Sequence, residues 1–177
     1  CGNGSAMRVG PVGWAFETEQ ETLAVAKRSS ECTHNHPEGI NGAQETALCI
    51  FLARHGVKAD DIRLRIEKDF GYDLSLTVDE IRPRYSWQGL DGVGNGGTCQ
   101  GSIPQAISCA LQASGFEDAV RNAISIGGDS DTIGCITGAI AEALFGFPAD
   151  IREHGLNCLP AELRQVVEQF EAKYGCR

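Results

Sequence analysis

Paired cysteines of the CxxC type are missing from this 177-residue sequence, although it contains eight cysteines. Their absence argues against zinc-ribbon sites and thioredoxin-like redox motifs. Three cysteines fall inside apolar helical stretches, where a reduced thiol acts as a small core side chain: Cys49, Cys109 and Cys135. We therefore expect mostly reduced cysteines, and we favour a reducing, cytoplasmic compartment over a secreted disulfide framework.

The sequence also lacks a long apolar run and an excess of basic side chains. It shows no signal-peptide pattern and no stretch of about 18 apolar residues, so we expect no membrane insertion. Fifteen Lys and Arg residues stand against 24 Asp and Glu residues, which gives a formal net charge of −9. This balance argues against a basic face that binds nucleic acid. An anionic ligand would need a cation, helix N-termini or a few arginines.

Helical spacing of apolar residues is the main pattern that is present, and it predicts one helical domain over residues 1–177. Prolines suit first-turn positions and glycines suit helix ends. The five clear segments are Pro37 to Arg54, a helix opened near Pro104 and closed by Gly115, Phe116 to Gly127, Thr132 to Phe145, and Leu159 to Phe170. Two weaker helices are expected at Ala24 to Lys27 and Ile62 to Phe70. We expect Thr132 to Phe145 to be the most buried helix, because small residues and isoleucines surround its axis.

A glycine-rich stretch from Arg82 to Gly101 shows no clear period and predicts an extended loop. A loop of this length inside a helical domain is often functional, although a mobile surface insertion fits its length equally well. Before it, Leu74, Leu76 and Val78 alternate too briefly to predict a sheet.

The hexapeptide Gly127-Gly128-Asp129-Ser130-Asp131-Thr132 is the most informative motif. At a junction between a turn and a helix, both carboxylates and the Thr132 hydroxyl can converge on one point. Oxygen ligands of this kind suit Mg²⁺ or Mn²⁺ better than zinc. Alternatively, Ser130 or Asp131 simply caps the following helix. The apolar helix that follows favours the metal site, because a bound cation would offset the cost of unpaired carboxylates at a buried position.

Two weaker motifs lie earlier in the sequence. Gly2-Asn3-Gly4-Ser5, followed by a helix-like Met7-Arg8-Val9, could present Asn3 and backbone amides to a phosphate or sugar. In Thr33-His34-Asn35-His36-Pro37, two histidines could bind a transition metal. Because no further cysteine or histidine has metal-site spacing, we favour a capped helix start there.

Taken in order, these motifs and the loop Gly96-Gly97-Thr98-Cys99-Gln100-Gly101-Ser102 resemble the ADP-ribosylglycohydrolase family, which includes the dinitrogenase reductase-activating glycohydrolases. The resemblance implies an all-α, orthogonal multi-helix bundle around a site for two Mg²⁺ (or Mn²⁺) ions. It implies cleavage of the glycosidic bond between ADP-ribose and a modified protein side chain or small acceptor. Asp129 and Asp131 would be catalytic and, with Thr132, would bind metal. The implied substrate-binding residues are Asn3, Gly4, Ser5, His34, Gly97, Gln100 and Gly101.

The sequence departs from the family pattern before its first motif. The resemblance implies a Gly-Asp-containing segment and a Thr-Asp-Asp-Thr run, and neither is found there. Asp60-Asp61 lies downstream and starts an ordinary amphipathic helix. We therefore expect a chain truncated at its N-terminus relative to the family, with about half of the metal ligands. Three hypotheses stay open: a hydrolase of ADP-ribosylated proteins or small molecules, an inactive ADP-ribose-binding relative, and a structural protein on the same scaffold.

Overall fold

Helices make up 68% of the computed structural model, which describes residues 2–175 and confirms the all-α prediction. In chain order the elements are α1 (Gly4–Met7), α2 (Gly10–Ala15), α3 (Glu19–Glu31), α4 (Pro37–Arg54), α5 (Ala59–Phe70), α6 (Val78–Ile81), β1 (Tyr85–Ser86), β2 (Gly89–Leu90), α7 (Cys99–Leu111), α8 (Phe116–Ser125), α9 (Ser130–Phe145), α10 (Ala149–Asn157) and α11 (Ala161–Tyr174). Helix α4 has the predicted bounds. The sequence patterns did not predict α2, α6 and α10.

The N-terminus of α7 differs from the prediction. The helix begins at Cys99, because the Thr98 hydroxyl accepts a hydrogen bond from the backbone N–H of Gly101 and caps it. Pro104 therefore lies inside the helix and not in its first turn. Since proline has no N–H, the carbonyl of Gln100 lacks its usual helical partner. The last three residues of the predicted loop, Cys99 to Gly101, are helical.

Burial of the helices also differs from the prediction. Eleven of the 13 residues of α7 are buried, against six of the 16 residues of α9. Helix α9 packs on α4, α7 and α8, but Cys135 and Phe145 on its other side are exposed. The small residues of α9 therefore do not make it the most buried helix, and Cys135 is not a core residue. Cys49 and Cys109 are buried as predicted, whereas Cys1 and Cys176 lie outside the described residues.

A close approach between α4 and α7 forms the centre of the core. A Cβ at Gly42 would lie 2.4 Å from the Ile103 side chain, so only glycine allows this separation of the helices. The largest fully buried side chains of this core are mostly isoleucines: Ile50, Ile62, Ile66, Ile103, Ile107, Ile133, Ile136 and Ile140. Within residues 2–175, no helix has both the length and the apolar character needed to cross a membrane.

The predicted loop is partly ordered by a short hairpin. Strands β1 and β2 pair antiparallel, with Tyr85 opposite Leu90. The Arg84 guanidinium donates two hydrogen bonds to Asp91, at 2.9 and 2.7 Å. At the other end of the loop, Gly2 and Thr98 form an isolated antiparallel bridge. These contacts bring the glycine-rich loop against the Asn3 motif.

Candidate active site

The hexapeptide from Gly127 to Thr132, called the acidic turn below, lies at the N-terminus of α9. Gly127 and Gly128 have left-handed backbone conformations, with φ of 75° and 67°, which glycine adopts without strain. Asp129 occupies the N-cap position, but its side chain makes no capping hydrogen bond. The predicted caps, Ser130 and Asp131, lie in the first helical turn. Capping therefore does not account for Asp129, whose side chain makes a different contact.

Asn3 is the hydrogen-bond partner of Asp129. The Asn3 side-chain amide donates to Asp129 Oδ2 at 2.6 Å, to Ser102 Oγ at 3.0 Å and to the Gly96 carbonyl oxygen at 3.3 Å. The side chains of Asn3, Ser102 and Asp129 are all buried. The amide thus joins the Asn3 motif, the glycine-rich loop and the acidic turn, which are far apart in the sequence.

The other two acidic-turn residues lie beside Asp129. The neighbouring Asp129 side chain is the first cause that lowers the pKa of the exposed Asp131 carboxyl, and the backbone N–H of Thr132 lowers it further. Asp131 therefore carries an ionised carboxylate at the same turn as Asp129. Thr132 is buried, and its hydroxyl donates to the Met7 sulfur at 3.5 Å. Two carboxylates, of Asp129 and Asp131, and the Thr132 hydroxyl thus lie within four consecutive residues at the start of α9.

This set of oxygen donors suits a hard divalent cation such as Mg²⁺. Across residues 2–175, no cluster of three or more His, Cys, Asp or Glu side chains has a geometry that could hold a metal ion. The acidic turn contributes two carboxylates, those of Asp129 and Asp131, which is fewer than such a cluster contains. Asp60 and Asp61 lie in the first turn of α5 and do not join the acidic turn.

His34 lies near the Asn3 motif. Its Nε2 atom is 3.2 Å from the position that a Cβ at Gly4 would occupy, so the ring packs on the backbone at the start of α1. Its Nδ1 atom is 2.7 Å from the Thr33 hydroxyl, which also accepts a hydrogen bond from Arg8. The structure thus brings His34, Gly4 and Asn3 together on one side of the acidic turn.

His36 is the N-cap residue of α4. Its Nδ1 atom accepts a hydrogen bond from the backbone N–H of Glu38, and Pro37 follows as the first residue of α4. This is the capped helix start that the sequence favoured over a transition-metal site.

The remaining predicted site residues, which differ in burial and in their contacts, are Ser5, Gly97, Gln100 and Gly101. Ser5 is buried and its hydroxyl donates to the Gly39 carbonyl, so this side chain connects α1 to α4. Gly97 donates its backbone N–H to the Asn95 side chain and lies near the Trp87 ring. Gly101 is buried against the Asn95 carbonyl, and Gln100 is exposed on the first turn of α7. Gly97 and Gly101 therefore shape the loop that contributes the Gly96 carbonyl to Asn3.

Two residues of this site were not predicted as such, Tyr85 and Ser102. Ser102 was only part of a quoted motif, and its fully buried hydroxyl accepts from Asn3 and donates to the Thr98 carbonyl. The Tyr85 ring packs against Gly128, where an added Cβ would lie 2.4 Å from the ring. No local pattern in the sequence relates Tyr85 to the acidic turn.

Comparison with known proteins gives consistent matches along the chain. The sequence profile of the family described as ADP-ribosylglycohydrolase matches residues 1–176. ADP-ribosylhydrolase ARH3 of Mus musculus is 30% identical, over 96% of this chain and 54% of the mouse protein. ARH3 of Homo sapiens is 31% identical with the same coverage. ADP-ribosylarginine hydrolase Tri1 of Pseudomonas putida is 24% identical, over 82% of this chain and 39% of that protein.

The fold has a solved counterpart. A structure described as an ADP-ribosylglycohydrolase-related protein complex matches with a TM-score of 0.69 and 27% sequence identity, over 99% of this chain and 59% of that one. This match confirms the predicted multi-helix fold class. The chain spans about half the length of the ARH3 proteins that it matches.

Proposed function

Because the chain belongs to the ADP-ribosylglycohydrolase family, we propose that it hydrolyses the glycosidic bond between ADP-ribose and an acceptor on a protein or small molecule. The names of the relatives support this reaction class, since both ARH3 and Tri1 are called hydrolases of ADP-ribosyl groups. The observation that carries the proposal is the buried hydrogen bond from Asn3 to Asp129, at the turn that also carries Asp131. We place the protein in the cytoplasm.

The proposed site uses Asp129, Asp131 and the Thr132 hydroxyl to hold Mg²⁺ or Mn²⁺. A bound divalent cation would polarise oxygen atoms of the substrate and lower the pKa of a coordinated water. The Asn3 amide fixes the Asp129 carboxylate by donating to one of its oxygens. Asp131 is exposed and has a lowered pKa, so it is ionised at neutral pH and available to a cation. His34 and the Gly96 to Gly101 loop form the adjacent walls for ADP-ribose.

A second candidate function is ADP-ribose binding without catalysis. It is favoured by the small number of ligands: Asp129 and Asp131 are the only carboxylates that the described residues bring to the acidic turn. A two-ion site needs more anionic ligands than this pair offers. Binding and turnover therefore have to be measured separately.

The test compares the protein with Asp131→Asn and with Asp61→Asn, an exposed aspartate of α5 that serves as a matched control. Calorimetry measures binding of Mg²⁺ and of ADP-ribose, and release of ADP-ribose from an ADP-ribosylated peptide measures turnover. We expect Mg²⁺ binding and turnover to be lost in Asp131→Asn and kept in Asp61→Asn. ADP-ribose binding without turnover in the unmodified chain would favour the second candidate. Equal Mg²⁺ binding by both variants would contradict a metal site at the acidic turn.

A further inference from the structure

Tyr85 packs against the acidic turn at Gly128. It is only 6% exposed, and its ring occupies the space beside Gly128 that any larger residue would need. Its hydroxyl oxygen is 3.3 Å from the position that a Cβ at Gly96 would take. The phenol therefore packs between the glycine-rich loop and the turn that carries Asp129.

The hydroxyl of Tyr85 is buried, and none of the residues 2–175 forms a hydrogen bond with it. It faces the backbone of Asp129 outside normal hydrogen-bond geometry, and its proton has no acceptor. Burial raises the pKa of this phenol to about 12, and the Asp129 carboxylate contributes to the rise.

A buried hydroxyl without a partner is unfavourable, and most such groups in folded proteins are paired. Phenylalanine would fill the same space beside Gly128 without that cost. A tyrosine here is explained if the hydroxyl gains its partner in another state of the site. Residues that lower stability at functional sites commonly serve the bound state.

The Asp129 carboxylate is an acceptor on the residue whose backbone the hydroxyl faces. Within residues 2–175, one of its oxygens accepts from Asn3 and the other accepts no hydrogen bond. A cation held by Asp129 and Asp131 would reorient this carboxylate. A carboxylate with one donor has room for further donors.

We propose that Tyr85 is a positioning residue for the cation site, whose hydroxyl donates to the Asp129 carboxylate when a divalent cation is bound at the acidic turn. This inference rests on the proposed function. Tyr85 and Asn3 then hold Asp129 from two sides, and the glycine-rich loop and the acidic turn are coupled through one side chain.

The test uses Tyr85→Phe, with Tyr72→Phe as the matched control. The Tyr72 hydroxyl already donates to Glu38, at 3.0 Å, away from the acidic turn. Thermal unfolding without divalent ions and Mg²⁺ titration by calorimetry are measured on the intact chain. We expect Tyr85→Phe to raise Tm by about 2–4 °C and to weaken Mg²⁺ binding about tenfold. Tyr72→Phe should lower Tm and leave Mg²⁺ binding unchanged.

Opposite effects on stability and on binding separate this role from a purely structural one. Mg²⁺ binding by Tyr85→Phe at the strength of the unmodified chain would overturn the inference and leave the proposed function standing. A fall in Tm of Tyr85→Phe would also overturn it, because the hydroxyl would then have a partner before cation binding. Absence of Mg²⁺ binding in the unmodified chain would overturn both proposals.

Discussion

The side-chain amide of Asn3 donates a 2.6 Å hydrogen bond to Oδ2 of Asp129, across a separation of 126 residues. Both side chains are buried, so the contact is shielded from water. Hydrogen bonds to charged acceptors are stronger than neutral ones, and their loss leaves a desolvated carboxylate without its donor. This single contact connects the first motif of the sequence to the acidic turn.

Replacing Asn3 tests that contact. Asn3→Ala should lower the free energy of unfolding by about 2–3 kcal/mol, because Asp129 would lose a buried charged hydrogen bond. Urea unfolding measures the change. Asn35→Ala, at an exposed asparagine, is the control and should change the free energy of unfolding by less than about 0.5 kcal/mol. Equal effects of the two substitutions would show that Asn3 does not stabilise Asp129.

Gly128 tests the packing of Tyr85 against the acidic turn. Gly128→Ala should destabilise the protein for two reasons: the left-handed φ of 67° and a Cβ placed 2.4 Å from the Tyr85 ring. Gly92→Ala is a matched control, because Gly92 has φ of 73° and open space around its Cβ position. We expect a loss of about 1 kcal/mol for Gly92→Ala from backbone strain. Gly128→Ala should lose about 2 kcal/mol more from overpacking, measured by urea unfolding. Similar losses in both variants would mean that the ring moves away freely.

Glu45 carries a fully buried carboxyl on α4, and no residue that the structure describes forms a hydrogen bond with its oxygens. Burial, followed by repulsion from Glu38, raises its pKa well above the ordinary value. A raised pKa in the folded state means that stability is lost as pH rises above the unfolded-state value of about 4.5. Glu45→Met should therefore stabilise the protein by about 1–3 kcal/mol at pH 8 and by less at pH 5. Chemical unfolding at the two pH values measures this difference, and a destabilised variant at pH 8 would reveal a partner for the carboxyl.

Glu142 gives a second pH dependence at the opposite end of α9. It borders three cavities, of about 350, 370 and 200 Å³, between the helical core and the last two helices. Burial and then repulsion from Glu171 raise its pKa to about 7, although Arg152 opposes the shift. Ionisation of Glu142 therefore lowers the free energy of unfolding as pH rises from about 4.5 to about 7, and this loss stays constant at higher pH.

The variant Glu142→Gln removes this titration. We expect its Tm, relative to the unmodified chain, to increase between pH 5 and pH 7 and then to stay level. The exposed Glu153 of α10 supplies the control Glu153→Gln, whose Tm difference should be flat over the same range. A flat difference for Glu142→Gln as well would contradict the raised pKa.

The sequence predicted local features better than packing. Pro37 and the apolar spacing after it marked α4 correctly, because first-turn proline and helical period act within one element. Pro104 was misleading, since the Thr98 cap starts α7 five residues earlier. Helix α9 was predicted to be the most buried, but burial depends on neighbouring helices, which no local pattern specifies. The same limit applies to Tyr85, whose contact with Gly128 joins segments that the sequence does not relate.

The central claim is that the acidic turn binds a divalent cation. It is tested most directly by a crystal structure of the protein soaked in Mn²⁺, with data collected to reveal the anomalous signal of the ion. We predict one anomalous peak about 2.0–2.3 Å from carboxylate oxygens of Asp129 and Asp131, with the Thr132 hydroxyl and waters completing its shell. A structure with saturating Mn²⁺ but no anomalous peak at the turn would contradict the account.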